Sequence, residues 1–216
     1  MNSLRFISWN VHSLVNRNRL VSVLQSVLTL PLDAICLQET HLSTQEDEDL
    51  FSSVLLSTCG PLWSVFFARS PSHYSGGTAI LLTGKIHPSG AFLTHVSHRS
   101  SASRASSSGS IISVDCRFDT QLFTLSSVYA PSGGGAAGSS RQTFFNDEIG
   151  AVTINPLQPN GEEIICGDFN CVANSARDRA AEPNPRTRPA DIGASELDAF
   201  MDIAVHRAAW ARRYLR

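Results

Sequence analysis

Apolar runs of strand length recur along this chain, and each stops abruptly on a polar group. Leu4-Arg5-Phe6-Ile7-Ser8-Trp9 leads into Asn10, Leu32-Asp33-Ala34-Ile35-Cys36-Leu37 into Gln38-Glu39-Thr40, and Glu163-Ile164-Ile165-Cys166-Gly167 into Asp168-Phe169-Asn170. A fourth run, Gln121 to Tyr129, stops at Tyr129-Ala130-Pro131. A run too apolar for water that halts on an acid, an amide or a phenol reads as a buried strand whose end carries chemistry. Packed sheets would bring the four carboxyl ends to one rim and seat a site on rigid elements.

Between the first two runs, Leu20, Val23, Leu24, Val27 and Leu28 recur at helical spacing and Pro31 closes the pattern, which predicts a helix over Arg17 to Leu30. Ser43 with Glu46 forms a capping box, Asp47, Glu48 and Asp49 suit a helix N-terminus, and Leu50, Phe51, Val54 and Leu55 supply an apolar face, so a second helix is expected at 44–58. Short β-rich runs follow at Trp63 to Ala68, Thr78 to Thr83, Ala91 to Val96, Ser110 to Phe118 and Gln121 to Tyr129. Gly, Pro and Ser signals separate them, which favours antiparallel neighbours. Arg141 to Val152 and Ser195 to Arg207 are further helices by pattern, and the Ser/Gly-rich stretches Ser97 to Ser110 and Ser132 to Ser140 read as mobile surface loops. The expected fold is an α/β sandwich of two packed, mainly antiparallel sheets flanked by helices, in a single domain spanning residues 1–216.

Composition narrows the setting. At 216 residues the chain buries roughly 70 per cent of its unfolded surface without staples. Its five cysteines, Cys36, Cys59, Cys116, Cys166 and Cys171, are odd in number, lack zinc-like pairing and mostly lie in apolar runs, where Cys packs as a small hydrophobe. A reduced nuclear or cytoplasmic location is expected rather than secretion, and no stretch has the leader pattern or the roughly 20 apolar residues of a spanning helix. A formal net charge of −2 excludes a polybasic nucleic-acid binder. Arginine nevertheless crowds the C-terminal stretch from Arg177 to Arg216, either as a phosphate-facing patch or as a solvated tail.

The chemistry follows from the polar ends. Phosphodiester hydrolysis needs a hard cation on the phosphate oxygens, a positioned water, and donors for the charge that builds on phosphorus. Mg²⁺ prefers oxygen and takes only one or two protein carboxylates. Glu39 fits a metal ligand, Asp168 a group that orients water, and Asn10 and Asn170 fit phosphate or supporting contacts. Alone, each has a plainer reading: Asn10 as a turn former, Glu39 as an exposed acid, Asp168 and Asn170 as an Asx turn. Tyr129, at a strand end before Pro131, suits the site; Tyr74 is either a lid aromatic or a loop tyrosine. His12, His41 and His206 read as surface residues. The chain has no Gly-x-Ser-x-Gly elbow, and Gly133-Gly134-Gly135 lacks the Gly-Lys-Ser/Thr of a nucleotide loop.

At these residues the chain resembles the endonuclease/exonuclease/phosphatase superfamily, and most closely the apurinic-like endonuclease domain of non-LTR (LINE-type) retrotransposons. The resemblance rests on Ile7-Ser8-Trp9-Asn10-Val11, Leu37-Gln38-Glu39-Thr40-His41, Tyr74-Ser75-Gly76-Gly77-Thr78-Ala79, Val128-Tyr129-Ala130-Pro131, Gly167-Asp168-Phe169-Asn170 and Asp178-Arg179, in the family's order. It implies a four-layered α/β sandwich, Mg²⁺ or Mn²⁺ as cofactor, and DNA as partner. It further implies a nick whose 3′-hydroxyl primes reverse transcription, with a reverse transcriptase in the parent polyprotein. By the same resemblance Glu39 is the metal ligand, Asn10 arranges metal and phosphate, Tyr129 donates to the phosphate, Asp168 orients the attacking water, Asn170 stabilises the transition state, and Arg179 contacts DNA; Tyr74, if a lid aromatic, is a second candidate DNA contact.

The family's closing serine-arginine-isoleucine/leucine-aspartate segment and its terminal serine-aspartate-histidine motif are not found, and Ala208 to Arg213 resembles the helix end before the first of them. The chain is therefore expected to stop short of its last strands, to expose sheet edges, to bind Mg²⁺ weakly and to nick DNA poorly or not at all. Two other functions stay open: an abasic-site repair nuclease or phosphoinositide- or sphingomyelin-type phosphoesterase of the same superfamily, and an inactive nucleic-acid-binding remnant.

Overall fold

The computed structural model describes residues 4–85, 93–100, 109–132, 141–149, 162–171 and Leu197, with only the backbone described at 95–100. Two compact units divide the chain, one comprising residues 1–129 and 152–168, the other 130–151 and 169–216.

The first unit holds two four-stranded sheets. In the first, β1 (Phe6–Asn10), β2 (Ala34–Gln38), β4 (Thr78–Thr83) and β3 (Trp63–Ala68) lie in the order β1-β2-β4-β3. In the second, β5 (Leu93–Ser100), β6 (Ile111–Phe118), β7 (Gln121–Tyr129) and β8 (Glu162–Asp168) lie in chain order. Each sheet contains one parallel pair: β1 with β2, where Asn10 faces Gln38, and β7 with β8, where Tyr129 faces Asp168. The other pairings are antiparallel. A parallel pair aligns two carboxyl ends side by side, so the two parallel pairs carry Asn10, Gln38, Tyr129 and Asp168, the rim expected from the sequence.

Alternation along the strands decides what each face meets. Ala34 and Cys36 of β2 and Ile80 and Leu82 of β4 point at Ile112, Val114, Cys116, Phe123 and Leu125 of the second sheet, a dry inter-sheet core. Ile35, Leu37 and Leu81 point the other way, against α1 (Arg17–Leu28) and α2 (Gln45–Cys59) through Leu20, Val23, Leu24, Phe51, Val54 and Leu55. Burying each such side chain contributes about 1.5–3 kcal/mol, so these two layers supply most of the driving force. All five cysteines are free; burial pushes the Cys116 thiol up to about 12, as suits the small-hydrophobe reading.

Several boundaries differ from the sequence reading. The first helix ends at Leu28, where the Thr29 hydroxyl bonds the Ser26 carbonyl. The second is capped by Thr44 with Asp47 rather than by Ser43 with Glu46: Asp47 accepts the Ser43 and Thr44 backbone N–H groups while the Thr44 hydroxyl accepts from the Asp47 N–H. Strand β5 runs into the serine-rich stretch as far as Ser100, because its ladder to β6 continues from Leu93↔Phe118 to Ser100↔Ile112 across an irregularity at His95/Ser97. The helix expected at Arg141 to Val152 is present over 141–149, with Phe144–Glu148 wound as a π-helix. Of the helix expected at Ser195 to Arg207 only Leu197 is described, helical and buried; Arg179 and the expected end short of the last strands lie outside the described residues.

In the second unit Phe144, Phe145 and Ile149 are buried, and Phe145 stacks on Phe169 with ring centroids 6.3 Å apart. The buried Arg141 donates to the carbonyls of Asn170 (2.5 Å) and Pro131 (3.5 Å), tying together two of that unit's segments.

Candidate functional site

The loops after β1 and β2 are zipped to each other by backbone bonds, Val11 N–H to Gln38 O (2.9 Å), Ser13 N–H to Glu39 O (2.7 Å) and Leu14 N–H to Thr40 O (2.9 Å). The second loop is held in turn by Thr40 and His41 N–H groups donating to Gly77 and Gly76 carbonyls, each at 3.0 Å. Arg19 of α1 reaches back to the Val11 and Ser13 carbonyls. The tight crossing forces unusual backbone: His12 (φ 52°), Ser13 (84°), Glu39 (53°) and His41 (60°) are all left-handed without being glycine. Such residues cost of order 1–3 kcal/mol each and persist where the surroundings over-determine them. At Gly77 (φ 82°) only glycine fits, since a Cβ would stand 2.5 Å from the Thr40 hydroxyl and meet the His41 amide nitrogen at 3.2 Å.

This strained hairpin of loops aims Glu39 at the rim. Its Oε1 accepts from the Tyr129 hydroxyl at 2.5 Å, across from the second sheet, and its Oε2 lies 2.8 Å from His12 Nδ1 and 4.0 Å from His41 Nε2. The carboxylate is only 15% exposed. Burial alone would raise its pKa, but the bonds from Tyr129, His12 and Asn10 and the His12 charge together hold it below the usual value. Glu39 is therefore ionised at neutral pH, ready for a cation.

Asn10 Nδ2 donates to Asp168 Oδ2 at 2.9 Å, while Asn10 Oδ1 accepts the His12 N–H at 3.1 Å. One amide thus links the end of β8 to the loop that carries His12. Asp168 is placed by Gly167, the residue paired with Val128, where a Cβ would stand 1.8 Å from the Val128 carbonyl oxygen. Beneath the rim, the buried Gln38 amide joins the sheets: it accepts from Ser8 Oγ (3.2 Å) and donates to Ser127 Oγ (2.9 Å), and Ser127 donates onward to the Leu37 carbonyl (3.3 Å).

Four of the sequence-expected residues, Asn10, Glu39, Tyr129 and Asp168, therefore form one bonded cluster. Asn170 belongs to the second unit, left-handed (φ 50°), with its side-chain amide donating to the Ala130 carbonyl at 2.7 Å. Tyr74 is 90% exposed on the turn that leads to Gly76 and Gly77 and takes no part in the bonded cluster. Arg179 is outside the described residues.

The histidines correct the sequence reading. His41 is buried rather than on the surface, with a hydrogen bond to the His73 backbone and no partner for Nε2; burial lowers its pKa, only partly countered by Glu39. His12 has an exposed ring, 83% of its side chain, yet bonds the central carboxylate. Their spacing, His12 two residues after Asn10 and His41 two residues after Glu39, was the signal the sequence carried.

The donor set suits a divalent cation: an ionised carboxylate, an amide and an imidazole face one another, and the buried His41 Nε2, 4.0 Å from Glu39 Oε2, has no hydrogen-bond partner. Among the described residues no three His, Cys, Asp or Glu side chains form a ready cage. No helix among them is long and apolar enough to cross a membrane.

No curated protein matches the chain. Solved structures do. The catalytic domain of Xenopus laevis APE2 is 18% identical with a TM-score of 0.62, the match covering 91% of this chain and 67% of that one. An AP endonuclease from Archaeoglobus fulgidus is 15% identical with a TM-score of 0.63, covering 93% of this chain and 71% of that one. TDP2 from D. rerio, complexed with single strand DNA product, is 16% identical with a TM-score of 0.53, covering 77% of this chain and 60% of that one. At such identities the likeness establishes the fold, the α/β sandwich of two helix-flanked sheets. The profile of the Endonuclease/Exonuclease/phosphatase family matches residues 7–214, and the chain belongs to that family.

Proposed function

We propose that this protein is a divalent-metal-dependent phosphodiesterase that nicks DNA, leaving a 3′-hydroxyl from which reverse transcription is primed. The observation that supports it most is the single bonded cluster of Asn10, Glu39, Tyr129 and Asp168 at the carboxyl ends of two parallel strand pairs. Glu39, with Asn10 beside it, would hold the ion, whose contribution is to neutralise charge on the phosphate and to polarise the phosphorus–oxygen bond.

The protein's own groups do the rest. Asp168, fixed by the Asn10 amide, would orient an attacking water and accept its proton. Tyr129 turns its hydroxyl from Glu39 to a phosphate oxygen once substrate charge arrives, a donor aimed at the rim from the opposite sheet. The family resemblance adds Asn170 as a donor to the transition state and Arg179 as a DNA contact, and the exposed ring of Tyr74 offers a stacking face for a base. In this reading the partner is DNA, and a reverse transcriptase shares the parent polyprotein.

A second reading, an abasic-site repair nuclease, is favoured equally by the fold held in common with AP endonucleases. The choice turns on rim loops rather than on the fold. The test is cleavage of supercoiled plasmid and of an abasic oligonucleotide, with Mg²⁺ and with Mn²⁺, by the wild type and Glu39→Ala. Plasmid nicks that a reverse transcriptase extends, and that Glu39→Ala abolishes, are the expected result. Preference for the abasic strand selects the second reading, and cleavage that survives Glu39→Ala refutes both.

A further inference from the structure

The two histidines beside Glu39 are unaccounted for by an all-oxygen metal site. His12 Nδ1 lies 2.8 Å from Glu39 Oε2. Two ligands held at about 2.1 Å from one ion at a right angle are about 3.0 Å apart, so the pair is already spaced as adjacent ligands. The spacing is not an accident of a loose surface side chain. The His12 backbone is left-handed (φ 52°), its N–H is bonded to Asn10, and the loop around it is fastened by Ser13 N–H to Glu39 O and by Arg19 to Val11 O and Ser13 O. A ring so exposed and yet so firmly placed is presented rather than packed.

A second observation points to the same atom. His41 Nε2, in a residue 8% exposed, lies 4.0 Å from that same Oε2 and has no hydrogen-bond partner of its own. At 4.0 Å it is beyond a hydrogen bond to the carboxylate. It is suited to bond a water or phosphate oxygen seated on an ion next to Oε2.

We infer that His12 is a metal ligand alongside Glu39, making a mixed nitrogen–oxygen site that selects a first-row transition ion such as Mn²⁺ or Co²⁺ over Mg²⁺. The inference rests on the proposed metal role of Glu39 and deepens it. Imidazole is a good ligand for transition ions and a poor one for Mg²⁺, which keeps to oxygen. Ligation through Nδ1 requires the neutral ring with its proton on Nε2, so a hydrogen on Nδ1 would pass to solvent or be exchanged through solvent to Nε2. His41 is a positioning residue that acts through an oxygen on the ion.

The experiment measures Mg²⁺, Mn²⁺ and Co²⁺ binding by calorimetry to the full chain and to His12→Asn, His41→Ala and Glu39→Gln. It is paired with pulsed electron paramagnetic resonance of the Mn²⁺-loaded proteins to detect a coordinated nitrogen. Asparagine tolerates the left-handed backbone of position 12 and supplies oxygen in place of nitrogen, and circular dichroism checks each fold. The wild type is expected to bind Mn²⁺ and Co²⁺ at least about 10-fold more tightly than Mg²⁺ and to show nitrogen coupling. His12→Asn should lose the coupling and most of the preference while Mg²⁺ affinity stays within about 2-fold; His41→Ala should keep the coupling. Coupling that persists in His12→Asn, or a wild type without preference, overturns the inference and leaves the Glu39 site standing. Unchanged affinity for all three ions in Glu39→Gln overturns the metal role of Glu39 itself.

Discussion

Replacing Gly167 by alanine tests whether the packing of β8 on β7 sets the position of Asp168. The added Cβ would stand 1.8 Å from the Val128 carbonyl oxygen, 2.7 Å from its carbon and 2.8 Å from its nitrogen, all backbone atoms of the neighbouring strand. Real Cβ contacts begin near 3.0 Å, so the strands must part by roughly 1.2 Å, and no rotamer change relieves a clash with backbone. Overpacking of this kind costs about 1–3 kcal/mol, which in a chain of this size lowers Tm by about 2–12 °C. The displacement falls on the Val128↔Gly167 and Tyr129↔Asp168 pairs, so Asp168 swings away from Asn10 and nicking falls by more than the loss of folded protein. Gly84→Ala is the control: its nearest neighbour is Leu62 O at 3.4 Å, ordinary contact. Thermal unfolding by circular dichroism and plasmid nicking, measured on both variants, decide the matter. A Gly167→Ala protein with wild-type Tm and wild-type activity would refute the claim that this close approach positions the carboxylate.

Three further outcomes are expected. Tyr129→Phe removes the strongest donor to Glu39, so the Glu39 pKa rises toward its ordinary value, which carboxyl-carbon NMR titration reads directly. Because the folded pKa is depressed, Glu39 contributes stability that is present above its unfolded pKa and lost as pH falls through the folded one. Tyr129→Phe should therefore cost about 1.5–3 kcal/mol at pH 7, much less in acid, in urea titrations at the two pH values. Ser127→Ala leaves a buried Gln38 N–H unpaired and should cost about 1–3 kcal/mol in urea unfolding, whereas the double variant Gln38→Leu with Ser127→Ala should cost less than the two single changes summed. Thr44→Ala removes the α2 cap and should cost about 1 kcal/mol while leaving nicking unchanged.

Much of the architecture was legible because its elements bury long, regular apolar faces. β2 reads from Ala34 to Leu37 without interruption, and Leu20, Val23, Leu24 and Val27 all pack where their spacing puts them. Asn10, Glu39, Tyr129 and Asp168 were legible as a set since each ends or follows an apolar run, although β1 is largely exposed and β8 only partly buried, and the two parallel pairs then bring those ends together. What the sequence hid is tertiary. The burial of His41 comes from the 73–77 turn folding over it, a contact some 30 residues along the chain that no local pattern encodes. The left-handed backbone at His12, Ser13, Glu39 and His41 contradicts local propensity and exists because the two loops bond each other. Serine propensity argued for a loop at 97–100, yet β6 offers those residues a ladder, and the ladder prevails. The cap at Thr44 rather than Ser43 is a one-residue difference between two good capping candidates, settled by which carboxylate reaches both N–H groups.

The Asn10–Asp168 bond has a consequence for timing. Its partners are 158 residues apart, and Glu39 and Tyr129 are 90 apart. During synthesis at about 5–20 residues per second, Glu39 precedes Asp168 from the ribosome by roughly 6–26 s. The helix-covered sheet can form in that interval, since its strands end at Thr83, but the edge that completes the rim cannot. In the proposed mechanism an ion captured early at the first two loops would wait without Asp168. A rim assembled in this order stays incomplete until β8 has been made.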